Sequence, residues 1–245
     1  NELLDAGSEY SDLAQKGKVF DSNRPMLLSL LRRWGFEVFD FRIIRDDKRL
    51  LRESLDQASS EVDVIISSGG ASAGDEDHVA KLIKSEGKLE NWRIALKPGR
   101  PLALGLWNGT PIFGLPGNPV AAFVCSLIFV RPALGLLAGG GWFNPESYNV
   151  KSGFNKNKKA GRREYLRARI DEEGEVQIFP SEGSGRISSL SWSSGLLELL
   201  EHEEEIIKIH AAIFVARNSQ KQIVIGKDGN TLKKIGKQAR IEIEE

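Results

Sequence analysis

A single cysteine in 245 residues, Cys125, leaves no partner for an intramolecular disulfide. It sits in the apolar run 120–130, where it reads as a small buried hydrophobe. That usage suits a reducing compartment, and a cytoplasmic location is expected. Histidine is scarce as well: His78 is expected on the first turn of a helix, and His202 and His210 have no Cys or His at ligand spacing, so a histidine-held metal is not expected. Neither sign of charge is in excess, with 34 Lys+Arg against 34 Asp+Glu, so no bulk field draws in nucleic acid or an acidic membrane. The longest apolar stretch, 119–137, is broken by Arg131 and Pro132, and no basic-plus-apolar leader precedes it. No membrane partner is expected. The chain opens Asn-Glu-Leu-Leu without an initiator methionine, and something upstream is expected to be absent.

The length allows one large domain or two or three small ones, and pattern divides it. Residues 1–143 alternate helix and strand signals as in an α/β fold built on a parallel sheet. Asp21-Ser22-Asn23 offers helix caps, Leu27, Leu28, Leu31 and Trp34 recur at helical spacing, and Gly35 predicts the stop. Strands are expected at 36–44, 62–67, 92–96 and 111–115, and helices over 48–58, from about Asp77, and after Pro119. Two strand-loop-helix corners then point the same way. Residues 144–204 change to short alternating segments, 165–170 and 176–179 among them, the texture of a small β-domain. Residues 205–245 change again: a strand-like run at 206–215 precedes two helical patterns around Gly226-Lys227-Asp228-Gly229. Between Arg217 and Arg240 stand seven Lys/Arg and one acid, Asp228.

The chemistry gathers at the corners. In open α/β sheets ligands lie where loops leave the carboxyl ends of strands, because backbone N–H groups and helix N-termini converge there. Ser67-Ser68-Gly69-Gly70-Ala71-Ser72-Ala73-Gly74 offers such N–H groups with little side-chain bulk, which suits a phosphate. A tight turn needing glycine only for its geometry is the other reading. Asp46, Asp47, Asp75 and Asp77 would border the same crevice, where Mg²⁺ bridges carboxylates and phosphate oxygens, unless they simply cap helices. Lys97-Pro98-Gly99-Arg100-Pro101 sets two cations on a stiffened loop able to hold an oxyanion. Gly114-Leu115-Pro116-Gly117-Asn118-Pro119 completes the set with a close backbone approach and an Asn cap.

These motifs, with Asp21-Ser22-Asn23 and Arg45-Asp46-Asp47, stand in the order and spacing of the molybdopterin-binding domain of the MoeA family, and residues 1–201 resemble that family. Arg162-Arg163-Glu164-Tyr165-Leu166-Arg167 and Glu182-Gly183-Ser184-Gly185 resemble its C-terminal β-domain. The resemblance implies a molybdopterin molybdotransferase, which inserts molybdate into adenylylated molybdopterin with Mg²⁺ and releases AMP. Carried over by position, Asp47, Asp77, Lys97 and Arg100 would be catalytic and Asp46, Asp47 and Asp77 would hold metal. Ser68, Gly69, Gly70, Ser72, Gly74, Asp75, Gly117, Asn118, Ser184 and Arg186 would bind the pterin substrate. The family is expected to form homodimers. Two departures stand out: its Ser/Thr-Gly-Asp/Asn-Glu-Leu motif survives only as Asn1-Glu2-Leu3, and Arg100 replaces the more usual lysine.

The tail resembles a second family. Ile209-His210-Ala211-Ala212-Ile213, Ile223-Val224-Ile225-Gly226-Lys227 and 232–240 are similar to the KH domain of Era GTPases, in part. That resemblance implies an alternative function, ribosomal-RNA binding through Gly226, Lys227, Gly229 and Lys233. GTP hydrolysis is not implied, since no P-loop is present. If ordered, the tail is expected to pair a strand with 196–200, the last strand of the β-domain.

Overall fold

A computed structural model describes residues 3–5, 18–69, 78–92, 94–143, 145–156 and 161–199, with the backbone alone at 90–92 and 210–211. The chain divides into two compact units, residues 1–94 with 99–143, and residues 95–98 with 144–245.

In the first unit, strand β1 (Leu3–Leu4) pairs in parallel with β2 (Val19–Phe20) and feeds helix α1 (Asn23–Arg33). Asp21 starts that helix by accepting the Arg24 amide at 3.1 Å, and Gly35, at φ 91°, ends it in a left-handed turn. The strand expected at 36–44 does not form. Asp40 takes the Arg42 amide at 2.9 Å and Arg42 turns left-handed at φ 60°, which spends on a side chain the hydrogen bonding that a ladder needs.

Helix α2 (Lys48–Glu61) runs a turn longer than its apolar pattern indicates, and leads to β3 (Ile65–Ser68). Helix α3 (His78–Glu86) and β4 (Lys88–Trp92) follow. The strand expected at 92–96 is thereby displaced: β4 ends at Trp92, and a separate strand β5 (Leu96–Lys97) belongs to the second unit. Strands β6 (Ala103–Trp107) and β7 (Thr110–Leu115) form a hairpin, completing the sheet order β3-β7-β6-β4. Its one parallel pair, Ile65–Ser68 against Ile112–Leu115, sets the geometry of the crevice, while β6 and β4 run antiparallel.

Leu55 and Ala58 of α2, Val79, Ala80, Leu82 and Ile83 of α3, and Ala103, Trp107 and Ile112 of the sheet form one apolar cluster. Leu82 and Ile83 are fully removed from solvent, which stabilises by about 1.5–3 kcal/mol each. Phe113 points to the opposite face of β7 from Ile112, and α4 (Pro119–Cys125) packs against that strand. A π-helical turn, Ser126–Val130, joins α4 to α5 (Arg131–Leu137). The run 119–137 is long and apolar enough to cross a membrane by composition. Here Val120, Ala122, Val124 and Cys125 are core residues with no solvent exposure.

The second unit is a β-domain. Strands β8 (Tyr148–Asn149), β9 (Lys151–Ser152), β10 (Arg163–Ile170), β11 (Glu175–Ile178), β12 (Gly195–Leu199) and β13 (His210–Ala211) lie in the order β8-β13-β12-β10-β11-β9. Strand β5 pairs in parallel with the start of β10, and α6 (Ser188–Trp192) precedes β12. Val150, Leu166, Ala168, Val176, Leu197 and Leu199 build its core. The expected pairing of the tail with the last β-domain strand is present at Glu198 against His210, antiparallel.

Candidate functional site

The parallel pairing of β3 and β7 brings their carboxyl ends, and so their loops, to one edge of the sheet. Gly69 leaves β3 at φ 84°, which a side chain would strain, and its amide bonds the Leu115 carbonyl at 3.0 Å. A Cβ placed on Gly117 would lie 3.8 Å from the Gly69 Cα, so the chain at Gly69 and the loop at Gly117 are in contact. Helix α1 closes the third side. Its first residue, Asn23, donates through Nδ2 to Ser68 Oγ and to Gly117 O, both at 2.7 Å. One amide therefore ties three loops whose residues lie 45 and 94 positions apart. Asn118 occupies the N-cap of α4, but its side chain makes no cap bond, contrary to the capping role expected of it.

Asp46 and Asp47 stand at the entrance to α2. Asp47 accepts the Leu50 amide at 2.9 Å, and that bond holds its carboxyl below the usual carboxylate range. Asp46 lies 3.3 Å from Nε2 of His78, the first residue of α3, so it links the entrance of α2 to the start of α3. Among the described residues no group of three His, Cys, Asp or Glu side chains gathers at metal-binding distance. Two adjacent carboxylates still suit Mg²⁺, which takes one or two protein carboxylates and completes its shell with phosphate oxygens and water. Cys125 is inert by comparison: burial pushes its thiol up to about 12.

The two cations of the proline-stiffened segment part company. Arg100 is exposed in the first unit, whereas Lys97 lies on β5 in the second. There Lys97 Nζ reaches Glu182 Oε2 at 2.8 Å and Glu164 Oε1 at 3.4 Å, and Glu182 chiefly raises its pKa. Lys156 bonds the other oxygen of Glu182 and approaches Glu164 Oε2 at 3.7 Å. Two ammonium groups thus bracket two carboxylates, and hydrogen bonds from Lys156 and then Lys97 pull Glu182 down to about 2.

Arg167, only 2% exposed, faces the neighbouring loop. Its Nη2 donates to the Ser181 and Gly183 carbonyls and its Nε to Ser189 Oγ, and its guanidinium lies over the Phe179 ring. Burial lowers its pKa. This clamp sets the turn that carries Ser184, half-buried, and Arg186, exposed.

Of the residues marked in the sequence, the structure brings Ser68, Gly69 and Gly117 together at one edge of the sheet and places Asp46 and Asp47 at the entrance to α2 in the same unit. Lys97, Ser184 and Arg186 fall in the second unit. Gly70, Ser72, Gly74, Asp75, Asp77, Gly226, Lys227, Gly229 and Lys233 lie outside the described residues. The sequence pattern gave Asn23 no role beyond a cap, placed Glu164, Arg167 and Glu182 in motifs without a role of their own, and left Lys156 unmarked. The charged Glu164 and Arg167 inside an otherwise apolar strand were the available signal.

Comparison with known proteins agrees with this layout. Residues 1–135 match the family model described as "Probable molybdopterin binding domain", residues 149–208 match "MoeA C-terminal region (domain IV)", and residues 198–245 match "KH domain". A molybdopterin molybdenumtransferase of Haemophilus influenzae is 32% identical over 182 residues, covering 72% of this chain and 45% of that protein. The molybdenum cofactor synthesis protein cinnamon of Drosophila melanogaster is 36% identical over 208 residues, covering 80% and 34%. The chain spans about half the length, or less, of these curated relatives. A molybdopterin biosynthesis MoeA protein from Pyrococcus horikoshii shares the fold at TM-score 0.66 and 24% identity, over 87% of this chain and 49% of that one. A molybdenum cofactor biosynthesis protein from Pyrococcus furiosus superposes at TM-score 0.61 with 25% identity, over 79% and 62%. With its binding-domain model covering more than half of its residues and the MoeA C-terminal region following in order, the chain belongs to the MoeA family of molybdopterin-binding proteins.

Proposed function

We propose that the chain supplies the substrate-binding half of a molybdopterin molybdotransferase, which inserts molybdate into adenylylated molybdopterin and releases AMP. The observation that carries this reading is the pair of hydrogen bonds by which Asn23 joins Ser68 to Gly117 at the carboxyl ends of two parallel strands. Such an edge collects backbone N–H groups suited to a phosphate. Asp46 and Asp47, with Asp77 from the segment outside the described residues, would hold Mg²⁺, which neutralises charge on phosphate oxygens when bound. Lys97 is proposed to bind the oxyanion substrate; to do so it must release Glu182, to which its ammonium is now paired. Arg100, always charged, is suited to a bidentate contact with a phosphate or molybdate face. A cation held at such a position stabilises the negative charge that P–O cleavage moves.

Calorimetric titration of the chain with molybdopterin tests the reading, together with assay of molybdate insertion. Binding with poor turnover is expected, because the chain spans about half of its relatives and the family is expected to work as a homodimer. Absence of molybdopterin binding, or insertion at the rate of a full-length relative, would refute this half-site assignment. The match of residues 198–245 to a KH domain supports a second reading, RNA binding by the tail. Titration with a ribosomal-RNA oligonucleotide at two salt concentrations decides it: affinity must fall with salt if the seven cations between Arg217 and Arg240 meet phosphates.

A further inference from the structure

Four charged side chains of the second unit close into a ring. Lys97 pairs with Glu182 Oε2 and Glu164 Oε1, and Lys156 pairs with the other oxygen of each carboxylate. The two carboxylates are not equivalent. Glu164 forms the floor, its side chain only 7% exposed, and its ammonium partners stand at 3.4 and 3.7 Å, long for charge-assisted bonds. Among the described residues no hydrogen bond reaches its Oε2. Glu182 is the outer member, 47% exposed, and it bridges the two ammonium groups with one oxygen on each. Its carboxylate can leave without a change of backbone, because Arg167 holds the carbonyls of the residues before and after it, Ser181 and Gly183. Rotation about its own side-chain torsions then opens Lys97 and Lys156 to solvent. The buried Glu164 keeps both ammonium groups in place, since a carboxylate at that depth needs its cations.

We propose that Lys97 and Lys156 together form a two-ammonium site for a tetrahedral dianion, molybdate or a phosphate group, and that the Glu182 carboxylate is its built-in occupant, displaced when the ligand binds. This rests on Lys97 being the oxyanion-binding cation of the reading above; it adds Lys156 as a binding residue and Glu182 as an internal competitor. A bridging carboxylate and one edge of a tetrahedral oxyanion present the same pattern, two oxygens on one centre, each accepting from one ammonium. A carboxylate from solution does not win that position. It carries no more charge than Glu182 and lacks the tether, which gives Glu182 an effective concentration on the order of millimolar. A dianion brings twice the charge to two ammonium groups opposed by Glu164 alone, and keeps its remaining oxygens for other donors. Lysine suits such an exchange, because its compact charge on a flexible stem follows the anion without the fixed fork of arginine. The resident carboxylate thus makes the site selective for charge.

The test is calorimetric titration of the whole chain with sodium molybdate and, separately, with inorganic phosphate, at neutral pH and fixed ionic strength. Glu182→Gln keeps the shape of the side chain and removes its charge, so it should tighten binding by at least about fivefold even as it lowers the unit's stability. Glu175→Gln removes an equal charge from the same unit outside the ring, and should change binding by less than about twofold. Lys156→Met should weaken binding at least about tenfold, and Lys156→Arg should restore most of the loss. Should Lys156→Met fail to fold, the comparison of Glu182→Gln with Glu175→Gln decides alone. Tightening for molybdate only, or for phosphate only, supports the site and names its ligand. An equal gain in both glutamate variants, no gain in Glu182→Gln, or binding lost in Lys97→Met but untouched in Lys156→Met would overturn the proposal and leave Lys97 as an oxyanion ligand. If neither anion binds the wild type or Glu182→Gln, the oxyanion role of Lys97 and this proposal fall together.

Discussion

Replacing Arg167 by methionine removes the guanidinium while keeping most of the apolar stem. Three hydrogen bonds go with it, to Ser181 O, Gly183 O and Ser189 Oγ, and so does the cation over Phe179. Hydrogen bonds to a charged donor are worth about 1.5–3 kcal/mol each, but relief from burying an ion offsets several kcal/mol. The half-buried Ser181 and exposed Gly183 can also recover water on their freed carbonyls. The balance is a loss of about 1–3 kcal/mol, concentrated in the 181–187 turn. Arg167→Lys reaches one carbonyl without the fork and should fall between. Urea denaturation followed by tryptophan fluorescence measures the loss, and hydrogen exchange of 181–187 localises it. Unchanged stability with unchanged exchange in that turn would show that the clamp does not hold it.

Glu182→Gln should destabilise the second unit by about 1 kcal/mol at neutral pH. The fall from the ordinary 4.5 to about 2 converts to about 3 kcal/mol, and the 47% exposed side chain discounts that by solvent screening. Because the folded-state pKa is depressed, the contribution is complete above pH 4.5 and disappears as pH falls through 2, so the wild-type advantage in urea must shrink across that window. Trp107→Phe keeps the ring in the core but removes the Nε1–H bond to Asp56 Oδ1 at 2.8 Å, an expected loss of about 1 kcal/mol by chemical denaturation. A larger loss, above about 3 kcal/mol, would mean that packing and not this bond is the cause.

How much could be read in advance followed the range of the interactions. Helix α1, β7, β10 and β11 were legible because their signals are local: caps, alternation, a proline in the first turn. The 36–44 segment failed because its apolar residues carry a strand pattern while Asp40, two residues from Arg42, imposes a turn. Most site partners were illegible for the opposite reason. Asn23 meets groups 45 and 94 residues away, and Lys97 meets Glu164 and Glu182 at separations of 67 and 85. Nothing in a local window marks such encounters. The motifs located the crevice through Ser68, Gly69 and Gly117, but the amide that ties them together emerged only from the fold.

The two residues of β5 have a bearing on how this protein can be cut. Leu96 and Lys97 lie in the middle of the first unit's sequence and pair with Arg163 and Glu164 of the second. The boundary between units is therefore interlaced along the chain, with one unit lending a short piece of backbone to the other's sheet. Expression of residues 1–143 alone would strand Leu96, only 3% exposed in the intact chain, without its ladder. Expression of residues 144–245 alone would uncover the edge of β10 and leave the buried carboxylate of Glu164 without Lys97. Fragments cut at 143 should each be less stable than their share of the whole, and adding the two together should restore what either lacks.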